Sequence, residues 1–179
     1  VNDRNYMNLF FEPDWTPVTF NEETKDIIKK HYYLDHVSFG HDVEIAYLML
    51  EASEILKRKD TEETLLKGKM MVDHAIENGW DKAFGGFYDG GYYFGADQSL
   101  TIVNSDKNWW SQAEGLNTLL IMQHHFPNDS HNYGVYFIHL WEYVNTFFMD
   151  DRYGGWYEWG QDSKPETKNN LKGHVWKAN

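Results

Sequence analysis

His41 and Glu44, in the stretch "SFGHDVEIAYLMLEA" (Ser38 to Ala52), are the residues best placed to do chemistry. On a helix they are three positions apart and share a face. A histidine titrates near neutral pH, and an adjacent carboxylate fixes its tautomer and raises its basicity, so the pair suits general acid–base work. Two plainer readings stand beside that one: a helix-start histidine tied to Glu44, and a metal site. Metal is disfavoured because two ligands are too few and no partner pair follows at metal spacing. A second group lies in "KNWWSQAEGL", where Trp109 and Trp110 enter a helix and Glu114 follows Trp110 by four residues on the same face. A carboxylate on an inner helix is costly unless paired, which favours a binding role for Glu114. "GGWYEWGQD" places Trp156, Glu158 and Trp159 in a loop, and Trp176 repeats the entry theme near the end. His31, His36, His74, His124, His125, His131 and His139 have no such setting and read as surface or packing residues. No nucleophile elbow, P-loop or dinucleotide fingerprint is present.

These residues need elements to hold them. Residues 6–20 carry Pro13 and Pro17 and read as a short hairpin or extended loop. Residues 21–36 read as an exposed helical insertion capped by Asn21. Residues 41–58 are apolar almost all round, which predicts a helix buried on most sides. Thr61 to Asn78 has one apolar stripe (Leu65, Leu66, Val72, Ala75, Ile76) opposite charged residues, the pattern of an outer helix ending at Gly79. A Gly/aromatic loop follows to about residue 107. The order then repeats: a broadly apolar helix from Trp109 to Phe126, another from His131 to Met149, a second Gly/aromatic loop over 150–171, and in "KGHVWKAN" the start of a further helix. "GWDKAFGGFYDGG" (79–91) and "FMDDRYGGWYEWG" (148–160) share an aspartate, a Gly-Gly and two aromatics in register. Helix openings at Gly40, Trp109 and Gly173 recur roughly every 65 to 70 residues. This is a helix-hairpin repeat, inner then outer, with its long loops on one face. Such hairpins close into a toroid, and three inner helices predict an all-α half-barrel.

Composition narrows the partners. The 179 residues suffice for one domain with a sizeable core. With no cysteine, disulfides and zinc–thiolate sites are excluded. A net charge of −12 disfavours nucleic acid and anionic membrane surfaces, and no apolar run is long enough to span a bilayer. No signal peptide is read, which points to the cytoplasm, although Val1 in place of Met leaves room for an upstream segment. Aromatic residues make up 17% of the chain and many adjoin Gly, Asp and Asn. Rings beside polar loop residues are what a sugar cleft needs, since a pyranose stacks its apolar face on a ring while its hydroxyls seek hydrogen bonds. At least half of the rings belong to the core on the plainer reading.

Taken in order, "LFFEPDWTPV", "SFGHDVE", "NWWSQAE", "GGWYEWG" and "KGHVWK" resemble the N-acylglucosamine 2-epimerase superfamily, nearest its cellobiose (mannobiose) 2-epimerase branch. The resemblance implies an (α/α)6 barrel of which residues 1–179 are a part, a mono- or disaccharide substrate, no cofactor and no metal. It implies epimerisation at C2 of a reducing-end sugar through an enediolate, with one histidine as base and another as acid on the opposite face. His41 and Glu44 match the family's "GHD-x-E" pair. Trp109, Trp110 and Trp176 match its sugar-stacking tryptophans, and Glu114 its inner-helix glutamate. The family's second catalytic histidine follows "WK" by a few residues, beyond Asn179, and His174 does not match it. A third histidine and an arginine belong to the other half of the barrel. The insertion "NEETKDIIKKHYYLDHV" exceeds what disaccharide epimerases usually carry, which points to a sub-branch acting on another sugar. Aldose–ketose isomerisation shares the same chemistry. A glycoside hydrolase using Glu44, Glu114 and Glu158, or a non-catalytic sugar-binding half-barrel, are the alternatives. On this reading the isolated chain is inactive and adhesive, and two copies could pair to restore a ring.

Overall fold

The computed structural model describes residues 1–95 and 99–177. Its helices are α1 (Lys25–His31), α2 (Phe39–Ile55), α3 (Thr61–Gly79), α4 (Trp109–His125) and α5 (Tyr133–Phe147). The chain is mostly helical, as its periodicity predicts. α2 packs on α3, α4 packs on α5, and α2 and α4 pack on each other. Val43, Ala46, Leu50, Val72, Ala75, Leu119, Met122, Leu140, Val144 and Phe148 are buried where these helices meet. Removing each of the larger of these side chains from water contributes about 1.5–3 kcal/mol, and each alanine less. Thr118 Oγ1 donates to the Val43 carbonyl at 2.6 Å, locking the register of α4 on α2.

Several expectations change. The chain is not purely helical: β1 (Val37–Ser38), β2 (Gly90–Tyr92) and β3 (Thr101–Asn104) form an antiparallel sheet in the order β1–β2–β3. Residues 21–36 are not one helix. Thr24 precedes α1, and a 3-10 turn, Tyr32–Leu34, follows it. α2 buries one stripe, while Leu48, Ile55 and Leu56 are exposed. It is therefore not covered on most sides, because α3 and α4 cover only part of its circumference. In α3, Leu66 is exposed and Met71 takes its place in the core. His131 precedes α5 instead of starting it. The expected third inner helix is absent among the described residues: His174 and Lys177 close a backbone turn there, and the final two residues of "KGHVWKAN" lie outside the described set.

The loop repeat is visible down to its hydrogen bonds. Asp81 N–H donates to Gly86 at 2.9 Å and Gly85 N–H to Asp81 at 2.9 Å; Asp150 and Gly155, and Gly154 and Asp150, repeat this at 3.0 and 2.8 Å. The glycines of both loops lie at φ between 73° and 84°, the left-handed region that other residues resist. The aspartate side chain caps the turn in each: Asp81 accepts from Ala83 and Phe84 amides, Asp150 from those of Arg152 and Tyr153.

Candidate functional site: a histidine–carboxylate cluster between two helix starts

β1 runs directly into α2, so the sheet fixes where α2 begins. At that entry a Cβ on Gly40 would lie 2.2 Å from Ser111 Oγ and 2.6 Å from Trp110 Cη2, so only glycine lets the starts of α2 and α4 approach this closely. The start of α4 is held from three directions. Asn108 accepts from the Ser111 amide at 2.9 Å as a side-chain cap. Its amide nitrogen donates to Asp89, which also accepts from Asn104 at 2.8 Å. The Trp109 amide donates to the Glu158 carbonyl at 3.0 Å, tying the second loop to this helix start. Beneath them, buried Lys107 donates to Asp81 at 2.6 Å and Asp162 at 2.9 Å. Burial alone would raise Asp81, but Lys107 and the turn amides outweigh it and hold the carboxyl below its usual range.

On this scaffold His41 Nδ1 shares a 2.7 Å hydrogen bond with Ser38 Oγ. Its ring meets Trp110 edge-on, with centroids 4.9 Å apart. Among the described residues its Nε2 has no hydrogen-bond partner, so the imidazole is oriented through one nitrogen and presents the other. Burial pushes the Glu44 carboxyl up, the neighbouring Glu114 carboxylate adds to this, and His41 pulls it back down. Tyr47 donates to Glu114 Oε2 at 2.7 Å. Burial and then this bond push the Tyr47 hydroxyl up to about 12, so it stays a donor at any physiological pH.

Of the residues singled out by sequence, His41, Glu44, Trp110 and Glu114 come together. The expected His41–Glu44 hydrogen bond is replaced by the one to Ser38. Trp109 packs on the hydrophobic core and under Lys177, whose Nζ is 5.4 Å from the ring centroid. Trp176 is 85% exposed and makes no ring contact among the described residues, so it is not part of the cluster. Glu158 faces His174 at 3.6 Å, not the Glu44–Glu114 pair. Sequence reading missed Ser38 and Tyr47. Tyr47 lies three residues beyond Glu44 on the same helix face, which was the available signal.

His74 is a packing residue with a buried setting: its Nε2 and Tyr93 Oη are 2.9 Å apart, and burial lowers it to about 4. Asp42 beside it accepts from the Met7 amide at 2.8 Å, and burial raises its carboxyl strongly. The donor atoms of Asp73, Asp129 and His131 lie within 4.8 Å of one another, a spacing that could hold a cation. Lys69 Nζ already sits 2.6 Å from Asp73 and 3.0 Å from Asp129, which places a fixed positive charge against both carboxylates. Among the described residues no helix is long and apolar enough to cross a membrane.

Known proteins agree with this architecture. The D-mannose isomerase of Marinomonas mediterranea is 27% identical over 73% of this chain and 31% of its own length. The cellobiose 2-epimerases of Bacteroides fragilis and Dictyoglomus turgidum are 23% and 24% identical over 87% and 88% of the chain and 34% of theirs. A crystal structure of D-mannose isomerase superposes with a TM-score of 0.66 at 26% identity, over 83% of this chain and 35% of that one. The matched chain thus spans about a third of the length of its curated relatives, in keeping with the partial barrel that hairpin counting suggested. The third inner helix in that count is the one missing among the described residues. The family model for N-acylglucosamine 2-epimerase (GlcNAc 2-epimerase) matches residues 2–177, and the chain belongs to this family of carbohydrate epimerases and isomerases.

Proposed function

We propose that this chain supplies one side of the active site of a sugar 2-epimerase built on an (α/α)6 toroid, with His41 as a proton-transfer group. The observation carrying this is the orientation of His41, with Nδ1 on Ser38 and Nε2 free beside Glu44, Trp110 and Glu114. In an open-chain aldose the C1 carbonyl acidifies the C2 proton. His41 Nε2 takes that proton, the electron pair passes through C1–C2 to the carbonyl oxygen, and an enediolate forms. The negative Glu44 stabilises the imidazolium. Return of a proton to the opposite face of C2, from a group outside the described residues, gives the epimer. Trp110 offers a stacking face to the sugar, and Glu114, held by Tyr47, accepts from a hydroxyl. Trp109 then supports the site from the core, and Trp176 joins it only by rearrangement of its turn.

A second reading is aldose–ketose isomerisation, favoured by the likeness to D-mannose isomerase. It differs in returning the proton to C1, while the C2 hydroxyl gives up its proton to become the ketone and the C1 oxygen takes one up to become a hydroxyl. Carbon-13 NMR of the chain, extended to the length of its relatives and incubated with cellobiose and with mannose, separates the two. The manno epimer of the disaccharide supports the first, a ketose the second, and neither product from either sugar sinks both.

A further inference from the structure

The segment "KDIIKKH" (α1) has no role in the site above, yet it builds a second concavity. With the sheet it encloses a cavity of about 420 Å³ lined by Ile28, Tyr32, Tyr92, Phe94 and Val103, with Lys25 and Lys29 on its wall. That volume is in the range of small-molecule sites. Its floor is fixed. Tyr92 is 1% exposed and donates to Asp35 at 2.8 Å, and its ring lies 4.9 Å from that of Phe94. Ile28 is 3% exposed, while Val103, on β3, is 40% exposed and leaves the mouth open.

The charge at the mouth selects the occupant. Lys25 and Lys29 are four residues apart on one helix face. Among the described residues neither has an ion-pair or side-chain hydrogen-bond partner, whereas Lys69, Lys107, Lys164 and Lys172 are each held by a carboxylate in this chain of net charge −12. No acid lines the cavity among the described residues; Asp26 shares α1 with the two lysines, and Asp35, behind Tyr92, accepts through Oδ2 from Tyr92 at 2.8 Å and the Phe20 amide at 2.6 Å. Two free ammonium groups over an apolar, aromatic floor match a ligand with one anionic end and a flat or short apolar body.

We infer that the pocket between α1 and the sheet is a binding site for a small amphipathic organic anion, separate from the sugar site at the starts of α2 and α4. A neutral sugar is a poor fit, because the floor offers few groups to satisfy its hydroxyls.

The test is titration of the isotope-labelled chain with 1-naphthoate and, in parallel, with neutral 1-naphthalenemethanol. Saturable amide shifts at Ile28, Tyr92, Phe94 and Val103 are expected for naphthoate. The exposed double variant Lys25→Gln/Lys29→Gln should weaken naphthoate roughly tenfold and leave the neutral analogue unchanged. Val103→Trp, which fills the mouth from an exposed strand position, should abolish binding of both. Absence of saturable shifts, shifts centred on Trp110 and Glu114, or affinity indifferent to the lysine pair would each overturn the proposal. So would sedimentation showing that a second copy of the chain occupies the groove.

Discussion

The two Gly-Gly loops carry the same motif and the same turn, but differ in what lies over them. In the first, Lys107 is 1% exposed and bonds both Asp81 and Asp162; in the second, its counterpart Lys172 is 21% exposed and bonds Asp150 at 2.5 Å. Gln112 on α4 satisfies both the amide and the carbonyl of Phe87, at 2.8 and 2.9 Å. At the matching Trp156, among the described residues, only the carbonyl is met, by Lys177. A Cβ on Gly86 would lie 2.8 Å from Tyr143, whereas one on its counterpart Gly155 would come no nearer than 4.0 Å, to Lys172 Cδ. The local fold of the turn is thus intrinsic to its residues, while its burial comes from neighbouring helices. Gln112 of α4 and Tyr143 of α5 supply that cover at the first Gly-Gly turn; at Gly154 and Gly155, among the described residues, no helix side chain lies within 4 Å.

Four experiments sharpen or break this contrast. Lys107→Met strands two carboxylates in a buried site and should cost about 3–5 kcal/mol in urea unfolding. Lys172→Met should cost about 1 kcal/mol or less, and equal losses would refute the distinction. Gln112→Leu leaves the Phe87 amide and carbonyl unmet, for about 2–3 kcal/mol, and hydrogen exchange should quicken at Phe87 but not at Trp156. Alanine at Gly86 combines a left-handed φ with a clash and should exceed alanine at Gly155, whose penalty is the φ alone at about 1–2 kcal/mol.

The smallest effect concerns pH. Burial opposes protonation of His131, but its bonds to Asp129 and Glu77 outweigh that and raise it. The folded state therefore holds this proton more tightly than the unfolded chain. Its contribution is complete below the usual histidine value of about 6.5 and is lost as pH rises through the raised one. His74 behaves in the opposite way. Lowered to about 4 by burial, it contributes fully above the usual histidine range and loses stability as pH falls toward that value. Unfolding midpoints measured between these limits should decline on both sides, and His131→Gln should remove only the alkaline decline, by a few tenths of a kcal/mol.

Helix α3 was legible because one apolar stripe set its period, and α4 because its run is broadly apolar. The loop repeat was legible because its turn needs glycine at positive φ and an aspartate to cap it, chemistry that few residues can replace. The sheet was not. β1 has two residues and β2 contains Gly90 and Gly91, so its strands are held by backbone pairing that leaves no side-chain pattern. The exposure of Leu48 and Ile55 was hidden for another reason: apolar content shows what a helix is built to contact, not which neighbour is present. In the site, His41, Glu44, Trp110 and Glu114 followed from helical spacing. Ser38 and Tyr47 act through hydrogen bonds to those residues, and hydroxyl side chains are too common to signal that role alone.

The most direct test of the account is deuterium wash-in at C2 of cellobiose and mannose, followed by proton NMR. The chain extended to its relatives' length is compared with the same protein carrying His41→Asn. Loss of C2 exchange in the variant, with sugar binding retained, is the predicted result. Undiminished exchange at C2 without His41 would contradict its role as a proton-transfer group.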